Sequence, residues 1–286
     1  MTWPERFAVI GDPVAHSLSP AMHNAALRAA GIDASYGALR IEQSDLSKGV
    51  ELLRERGYWG FNVTVPHKVA IRAYVDRLAQ SAADVGAINT VVRRQASLEG
   101  HNTDVPGFMA ALRIAGVDVS GRRAVVFGAG GAGLGVVCAL QRLGAHAVLV
   151  SRTPEKARSM SGTIGGTTEL TALAAADPRV AIAISEAVLV VNATPLGMDH
   201  LPSTSPLPPG VELWPPTVAF DLIYGRETSF LREAAARGCP TLDGLEMLVQ
   251  QGAESFRLWT GVEPEVGLMR EACLNELKER ETCSAS

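Results

Sequence analysis

Lys68, Asp104 and Asn89, with a run of glycines at 128–133, are the residues in this sequence best suited to do chemistry. Lys68 closes the stretch Asn62-Val63-Thr64-Val65-Pro66-His67-Lys68. Pro66 has no N–H and cannot continue an inner strand, so Thr64 and Lys68 fall at a strand's carboxyl end, where α/β sheets collect ligands. Asn89 is an amide within the apolar run Gly86–Val92, which reads as a strand. Asp104 follows Asn102-Thr103 and opens a helix over 105–114. A lysine and an aspartate at element ends are residue types that can exchange protons with a ligand. Ser17 and Ser19 precede a helix over Pro20–Ala30, where hydroxyls and unpaired amides would seat a carboxylate. Ser19 is also a good helix N-cap ahead of Pro20, whereas Ser17 has no such local duty.

A second chemistry is written in Arg123–Gly135, RAVVFGAGGAGLG. Arg123–Phe127 is a valine-rich run expected as a buried parallel strand. Gly128, Gly130 and Gly133 then fall at G-x-G-x-x-G spacing, with Ala129, Gly131 and Ala132 between them, and a helix over 134–143 follows. Gly128 serves the tight turn, Gly130 lets backbone approach a pyrophosphate, and Gly133 lets helix and strand pack closely. The next strand, 146–150, ends in Ser151-Arg152-Thr153. A site for NAD would place a carboxylate there to hold the ribose hydroxyls. A guanidinium between two hydroxyl side chains suits a 2′-phosphate, so the expected cofactor is NADP.

The elements that must position these groups alternate as in an α/β protein. Strands are expected at Phe7–Ile10, Ser35–Ile41 and Trp59–Val65, with an amphipathic helix over Ser44–Arg56 carrying Leu46, Val50 and Leu53 at i, i+4, i+7. Helices over Val69–Val75 and Ala79–Val85 follow, then a hairpin of Val91–Arg94 and Ser97–His101. Thr64, Lys68, Asn89 and Asp104 thus stand at the ends of successive elements. Beyond the glycine run come a helix over 154–160, a helical segment around Leu170–Ala175, strands Ala187–Val191 and Thr217–Leu222, and a helix over 227–237. Two helices, about Gly244–Thr260 and Pro264–Arg280, close the chain.

Composition narrows the function classes. With 286 residues, 47% hydrophobic and 20% charged, the chain is long enough for two domains with sizeable cores. A formal net charge of −4 argues against nucleic acid or an anionic membrane as partner. There is no apolar run of transmembrane length, and MTWPERFAVIGD does not read as a signal peptide. Cys138, Cys239, Cys273 and Cys283 form no metal-type spacing and are expected as reduced thiols in a cytoplasmic protein. The six histidines form no ligand cluster, so no metal is expected.

Taken together the motifs resemble the shikimate dehydrogenase family. The matching segments are Ser17-Leu18-Ser19-Pro20, Asn62–Lys68, Gly86–Thr90, Asn102–Asp104, Gly128–Gly133, Ser151–Thr153, Asn192–Met198, Asp221–Tyr224 and Gly244–Gln251, in the family's order. The resemblance implies an α/β fold with two parts: a substrate domain at 1–104, rejoined by helices of 240–286, and a Rossmann-type doubly wound NADP domain at 105–239, with the active site in the cleft between them. It implies NADP-dependent reduction of 3-dehydroshikimate to shikimate, in aromatic amino acid (chorismate) biosynthesis. Ser17 and Ser19 would hold the substrate carboxylate, and Thr64, Asn89, Tyr224 and Gln251 would bind the substrate as well. Lys68 and Asp104 would be the catalytic pair, both also touching substrate. Gly128–Gly133 would hold the pyrophosphate, and Ser151, Arg152 and Thr153 the adenosine phosphate. Thr194, Met198, Leu222, Gly244 and Met247 would lie near the nicotinamide. The family often has Asn where this chain has Ser151, an acidic residue at Gln80, and Pro at Gly225. The other readings are a quinate/shikimate dehydrogenase that uses NAD, against which the lack of an acidic residue at the end of the 146–150 strand argues, and a non-catalytic NADP sensor, which would not need Lys68 with Asp104. Monomer and homodimer both fit.

Overall fold

Valine-rich and period-two apolar runs build two six-stranded sheets. The structure, a computed structural model, describes residues 5–153, 170–198 and 204–284. The chain divides into two compact units: residues up to Thr103 with those from Leu248 onward, and Asp104–Met247.

The first unit begins with β1 (Glu5–Gly11), α1 (Ser19–Ala29), β2 (Ser35–Arg40), α2 (Leu46–Glu55) and β3 (Gly60–Val63). It continues through β4 (Arg77–Leu78), α3 (Gln80–Val85), β5 (Thr90–Arg94) and β6 (Ser97–His101). The sheet order is β2-β1-β3-β5-β6-β4. β1 runs parallel to β2 and β3, while β5 is antiparallel to β3 and β6. As the spacing predicts, Leu46, Val50 and Leu53 bury one stripe of α2 against Ala8, Ile10, Phe61 and Val63.

The second unit is a parallel sheet with α4 (Asp104–Ile114), β7 (Arg123–Phe127), α5 (Gly131–Arg142), β8 (His146–Ser151), β9 (Leu170–Ala174) and α6 (Arg179–Ser185). β10 (Ala187–Asn192), β11 (Val218–Asp221), α7 (Ser229–Ala236) and β12 (Thr241–Leu242) complete it. Its order is β12-β11-β10-β7-β8-β9, which is the doubly wound Rossmann order with the reversal between β7 and β10. Val125, Val148, Val190 and Phe230 meet in its core. α8 (Leu245–Thr260) contains the boundary between the units, and α9 (Val266–Ser284) packs with α1 in the first.

Several local expectations change. Leu170–Ala174 is a strand, not a helix: Leu-Thr-Ala-Leu-Ala pairs in parallel along β8. The segment Val69–Val75 makes only a 3₁₀ turn at Ala70–Tyr74. α5 starts three residues earlier than 134, at Gly131. The run Gly86–Val92 is not strand throughout: Gly86 closes α3 at φ +74°, which a glycine tolerates, and β5 starts at Thr90. Ser19 is not the cap of α1, because it is already helical and Leu18 holds the cap position. The helix expected over 154–160 lies outside the described residues.

Candidate active site

Asn89, in the turn before β5, is buried and its carboxamide is saturated by neighbours. Nδ2 donates to Thr103 Oγ1 at 2.8 Å and to Gln251 Oε1 at 3.1 Å. Oδ1 accepts from the Thr103 N–H at 2.7 Å and from the Thr90 hydroxyl at 3.2 Å. This explains the amide in an apolar run: it ties the β5 turn, the β6–α4 link and α8 together. Gln251 is anchored at its other end by Nε2 donating to Leu248 O at 2.8 Å. Ser255, one turn along α8, lies 2.8 Å from Thr90 Oγ1 and 3.1 Å from Thr103 Oγ1. Asn62 Nδ2 faces Asn89 O, Thr90 Oγ1 and Ser255 Oγ at 3.1, 3.1 and 3.0 Å. These groups are neutral and mutually satisfied, which is what burial demands of polar side chains.

The other residues singled out are each held by neighbours of their own. The Ser17 hydroxyl accepts the Ser19 N–H at 3.2 Å, so Ser17 does the local work expected of Ser19. Arg280 of α9 donates to His16 O at 2.8 Å and to Ser17 O at 3.4 Å, pinning that loop from the chain's other end. Thr64 follows β3, its N–H bonded to Ile10 O at 2.9 Å. A side chain at Gly11 would strike Thr64 Cγ2 at 2.3 Å, so the strand ends approach closely here. Lys68 is half-buried, and its carbonyl accepts the Ile88 N–H at 2.7 Å, setting its loop beside Asn89. His67 is buried, with Nε2 2.6 Å from Ile41 O. Asp104 is buried at the head of α4, the first residue of the second unit.

In the second unit the glycine loop leaves β7 at the sheet's switch point. Gly128 has φ +110°, and a Cβ there would lie 2.7 Å from Ala193 O in the loop after β10. A Cβ on Gly133 would meet Gly128 O at 1.9 Å, so only glycine allows this helix-to-turn contact. Gly130 differs: nothing lies within 4 Å of an added Cβ, leaving open space over the start of α5, where Gly130–Gly131 begin the helix. Backbone amides bordering open space at a helix start fit a pyrophosphate. Ser151, Arg152 and Thr153 follow at the carboxyl end of β8, Arg152 and Thr153 exposed, with the Thr153 N–H on Ser151 Oγ at 3.2 Å. An exposed guanidinium with no adjacent carboxylate in sequence fits a ribose phosphate. The residues present thus fit NADP.

The loop after β10 is held by Asn192 and Asp221, which open two of the matching segments, and by Thr228, which no motif included. Asn192 Nδ2 donates to Asp221 Oδ1 at 3.0 Å, and Asn192 Oδ1 accepts the Thr194 N–H and hydroxyl at 3.0 and 2.6 Å. The Thr228 hydroxyl donates to Asp221 Oδ2 at 2.7 Å while capping α7. Burial pushes the Asp221 carboxyl above the usual carboxylate range, against the pull of its hydrogen bonds. Leu222 and Gly244 touch: a Cβ on Gly244 would sit 2.1 Å from Leu222 O. Met247 is buried, Tyr224 half-buried and Met198 exposed. Among the described residues no group of three or more His, Cys, Asp or Glu is arranged to hold a metal, and no helix is long and apolar enough to cross a membrane.

Residues 9–91 match the model of the shikimate dehydrogenase substrate binding domain, and residues 244–274 that of the shikimate 5′-dehydrogenase C-terminal domain. A shikimate dehydrogenase (NADP(+)) of Rubrobacter xylanophilus is 45% identical over 276 residues, covering 94% of this chain and 95% of that protein. The chain belongs to the shikimate dehydrogenase family. Among solved structures of the family, shikimate 5-dehydrogenase from Thermus thermophilus in complex with NADP(H) and shikimate is 41% identical. It superposes with a TM-score of 0.83 over 95% of this chain and 99% of that one. Quinate dehydrogenase from Corynebacterium glutamicum in complex with NAD is 31% identical, with a TM-score of 0.83 over 96% of this chain and 100% of that one.

Proposed function

We propose that this protein reduces 3-dehydroshikimate to shikimate with NADPH, in aromatic amino acid biosynthesis. The observation that carries the reading is likeness along nearly the whole chain to NADP(+)-dependent shikimate dehydrogenases, one of them solved with both NADP(H) and shikimate. The first unit is the substrate domain and the second the NADP domain.

Bound NADPH supplies the hydride that reduces the ring carbonyl. The chain supplies the rest. Ser17 and Ser19, at the start of α1, receive the substrate carboxylate. Thr64, Asn89, Tyr224 and Gln251 take the ring hydroxyls; Asn89 and Gln251 exchange their mutual 3.1 Å bond for bonds to substrate. Lys68 gives its proton to the oxygen as the carbonyl is reduced and recovers one in the reverse direction. Asp104 orients Lys68 and the substrate hydroxyl. Gly128–Gly133 hold the pyrophosphate with backbone amides, and Ser151, Arg152 and Thr153 hold the adenosine phosphate. Thr194, Met198, Leu222, Gly244 and Met247 border the nicotinamide. The protein works in the cytoplasm on a small-molecule substrate, as monomer or homodimer.

Lys68→Ala tests the assignment of the acid. Turnover should fall by ~10²–10⁴-fold, the usual worth of a general acid or base, with shikimate binding changed far less. Near-normal turnover would remove Lys68 from the chemistry.

A further inference from the structure

Tyr36 lies on β2, outside every motif that pointed to the reaction, yet it ends the hydrogen-bond chain that reaches Asn89 and Gln251. Its hydroxyl donates to Asn62 Oδ1 at 2.7 Å, and both residues are buried. Asn62 then turns Nδ2 toward Asn89 O, Thr90 Oγ1 and Ser255 Oγ. The reversed amide would set Oδ1 against the Asn89 carbonyl, two acceptors face to face. The Asn89 carbonyl thus selects this orientation, and in it the Tyr36 hydroxyl supplies a donor to Oδ1 and tethers the amide.

Tyr36 is itself tightly held. Asn24 of α1 grips its backbone from both sides, Oδ1 accepting the Tyr36 N–H at 2.8 Å and Nδ2 donating to Tyr36 O at 2.9 Å. The His23 ring stacks on its face at 4.4 Å and 14°. The backbone clasp and the stacked imidazole together hold the phenol beside Asn62.

We propose that Tyr36 is a positioning residue for substrate binding: through Asn62 it fixes the amide and hydroxyl array that aims Asn89 and Gln251. This rests on the reading of Asn89 and Gln251 as substrate ligands. Tyr36 touches no substrate. It acts by tethering Asn62 through Oδ1, so that Thr90 and Ser255 keep Thr103, Asn89 and Gln251 in register. The array then enters the complex already ordered, and substrate does not have to order it.

The test is steady-state kinetics on the full-length variants Tyr36→Phe, Ser255→Ala, the double variant and Gln251→Ala, with shikimate and NADP. Tyr36→Phe removes one oxygen and keeps the ring. KM for shikimate should rise roughly 3- to 10-fold, as loss of one net hydrogen bond gives, while kcat stays within about twofold and KM for NADP is unchanged. Ser255→Ala removes a hydroxyl on the far side of Asn62 and should raise the same KM, which keeps the inference testable if Tyr36→Phe fails to fold. Because both act through Asn62, the double variant should raise KM by less than the product of the single effects. A lower Tm with unchanged KM for shikimate, or strictly multiplicative effects, would leave Tyr36 as packing only and overturn the inference. Gln251→Ala separates the two levels. If it leaves KM for shikimate unchanged, the underlying assignment of substrate ligands fails, and the inference with it.

Discussion

Under the proposed function the two units prepare for their ligands by opposite means. The first gathers side chains: Asn62, Asn89, Thr90, Thr103, Gln251 and Ser255 form one buried array of neutral donors and acceptors, each restrained by the next. The second removes side chains: at Gly128 and Gly133 an added Cβ would strike backbone, and at Gly130 it would enter open space. A substrate recognised by hydroxyls and a carboxylate calls for a specific polar pattern. A pyrophosphate is recognised by backbone amides and needs only an approach that no side chain blocks. The difference teaches which substitutions each half tolerates: the first is sensitive to lost polar atoms, the second to gained carbon.

The contrast is broken most severely at Gly133. Gly133→Ala places a methyl on Gly128 O and should cost on the order of 1–3 kcal/mol of stability, as overpacking does, while also disrupting NADP binding; urea unfolding and cofactor titration measure both. Gly130→Ala sharpens the point three residues away. Its Cβ meets nothing in the chain, so Tm should hold while NADP affinity falls; unchanged affinity would move the pyrophosphate elsewhere. Arg152→Ala should weaken NADP by ~10- to 100-fold, the worth of charge-assisted bonds to a phosphate, and leave NAD kinetics nearly unchanged. Equal losses with both cofactors would contradict a 2′-phosphate role.

A smaller effect concerns the apolar flank of the first unit's array. His23 is fully buried beside Tyr36, where burial outweighs the pull of the Asn62 side chain toward the charged ring. Burial lowers its pKa from the usual 6.5 to about 3. The unfolded chain therefore takes up a proton that the fold refuses, and stability is lost as pH falls from 6.5 toward 3. Replacing His23 with Phe should flatten that part of the stability–pH curve, measured by urea unfolding at steps from pH 7 to pH 4. A curve parallel to the parent would show that His23 contributes nothing to it.

How much of this was legible in the sequence differs between the halves for the same reason. Gly128, Gly130 and Gly133 lie within one turn and one helix start, so local spacing shows them, and the alternation of strand and helix around them gives the doubly wound unit. β9 was misread because Leu170–Ala174 is short and alanine-rich; its partner β8, not its own pattern, makes it a strand. In the first unit Thr64, Lys68 and Asn89 were visible as polar residues at element ends, and Gln251, inside α8, only through the family resemblance. Tyr36 and Ser255 were not, because each reads locally as an ordinary strand or helix residue. Their significance lies in bonds that join distant segments, such as Asn62 to Ser255 and Asn89 to Gln251, which period and spacing do not encode. Asn192 and Asp221 open two of the matching segments, but their pairing was hidden in the same way, made because β10 and β11 are neighbours in register.

The central claim is tested most directly by the rate of absorbance change at the reduced-nicotinamide band, with purified protein and shikimate or quinate, against NADP or NAD. The account predicts rapid reduction of NADP with shikimate, ~10-fold or more above NAD, as a phosphate held by Arg152 requires. Comparable rates with NAD, or with quinate, would contradict it in favour of a broader dehydrogenase. Tight NADP binding with no turnover on either substrate would leave the fold intact and refute the enzymatic reading.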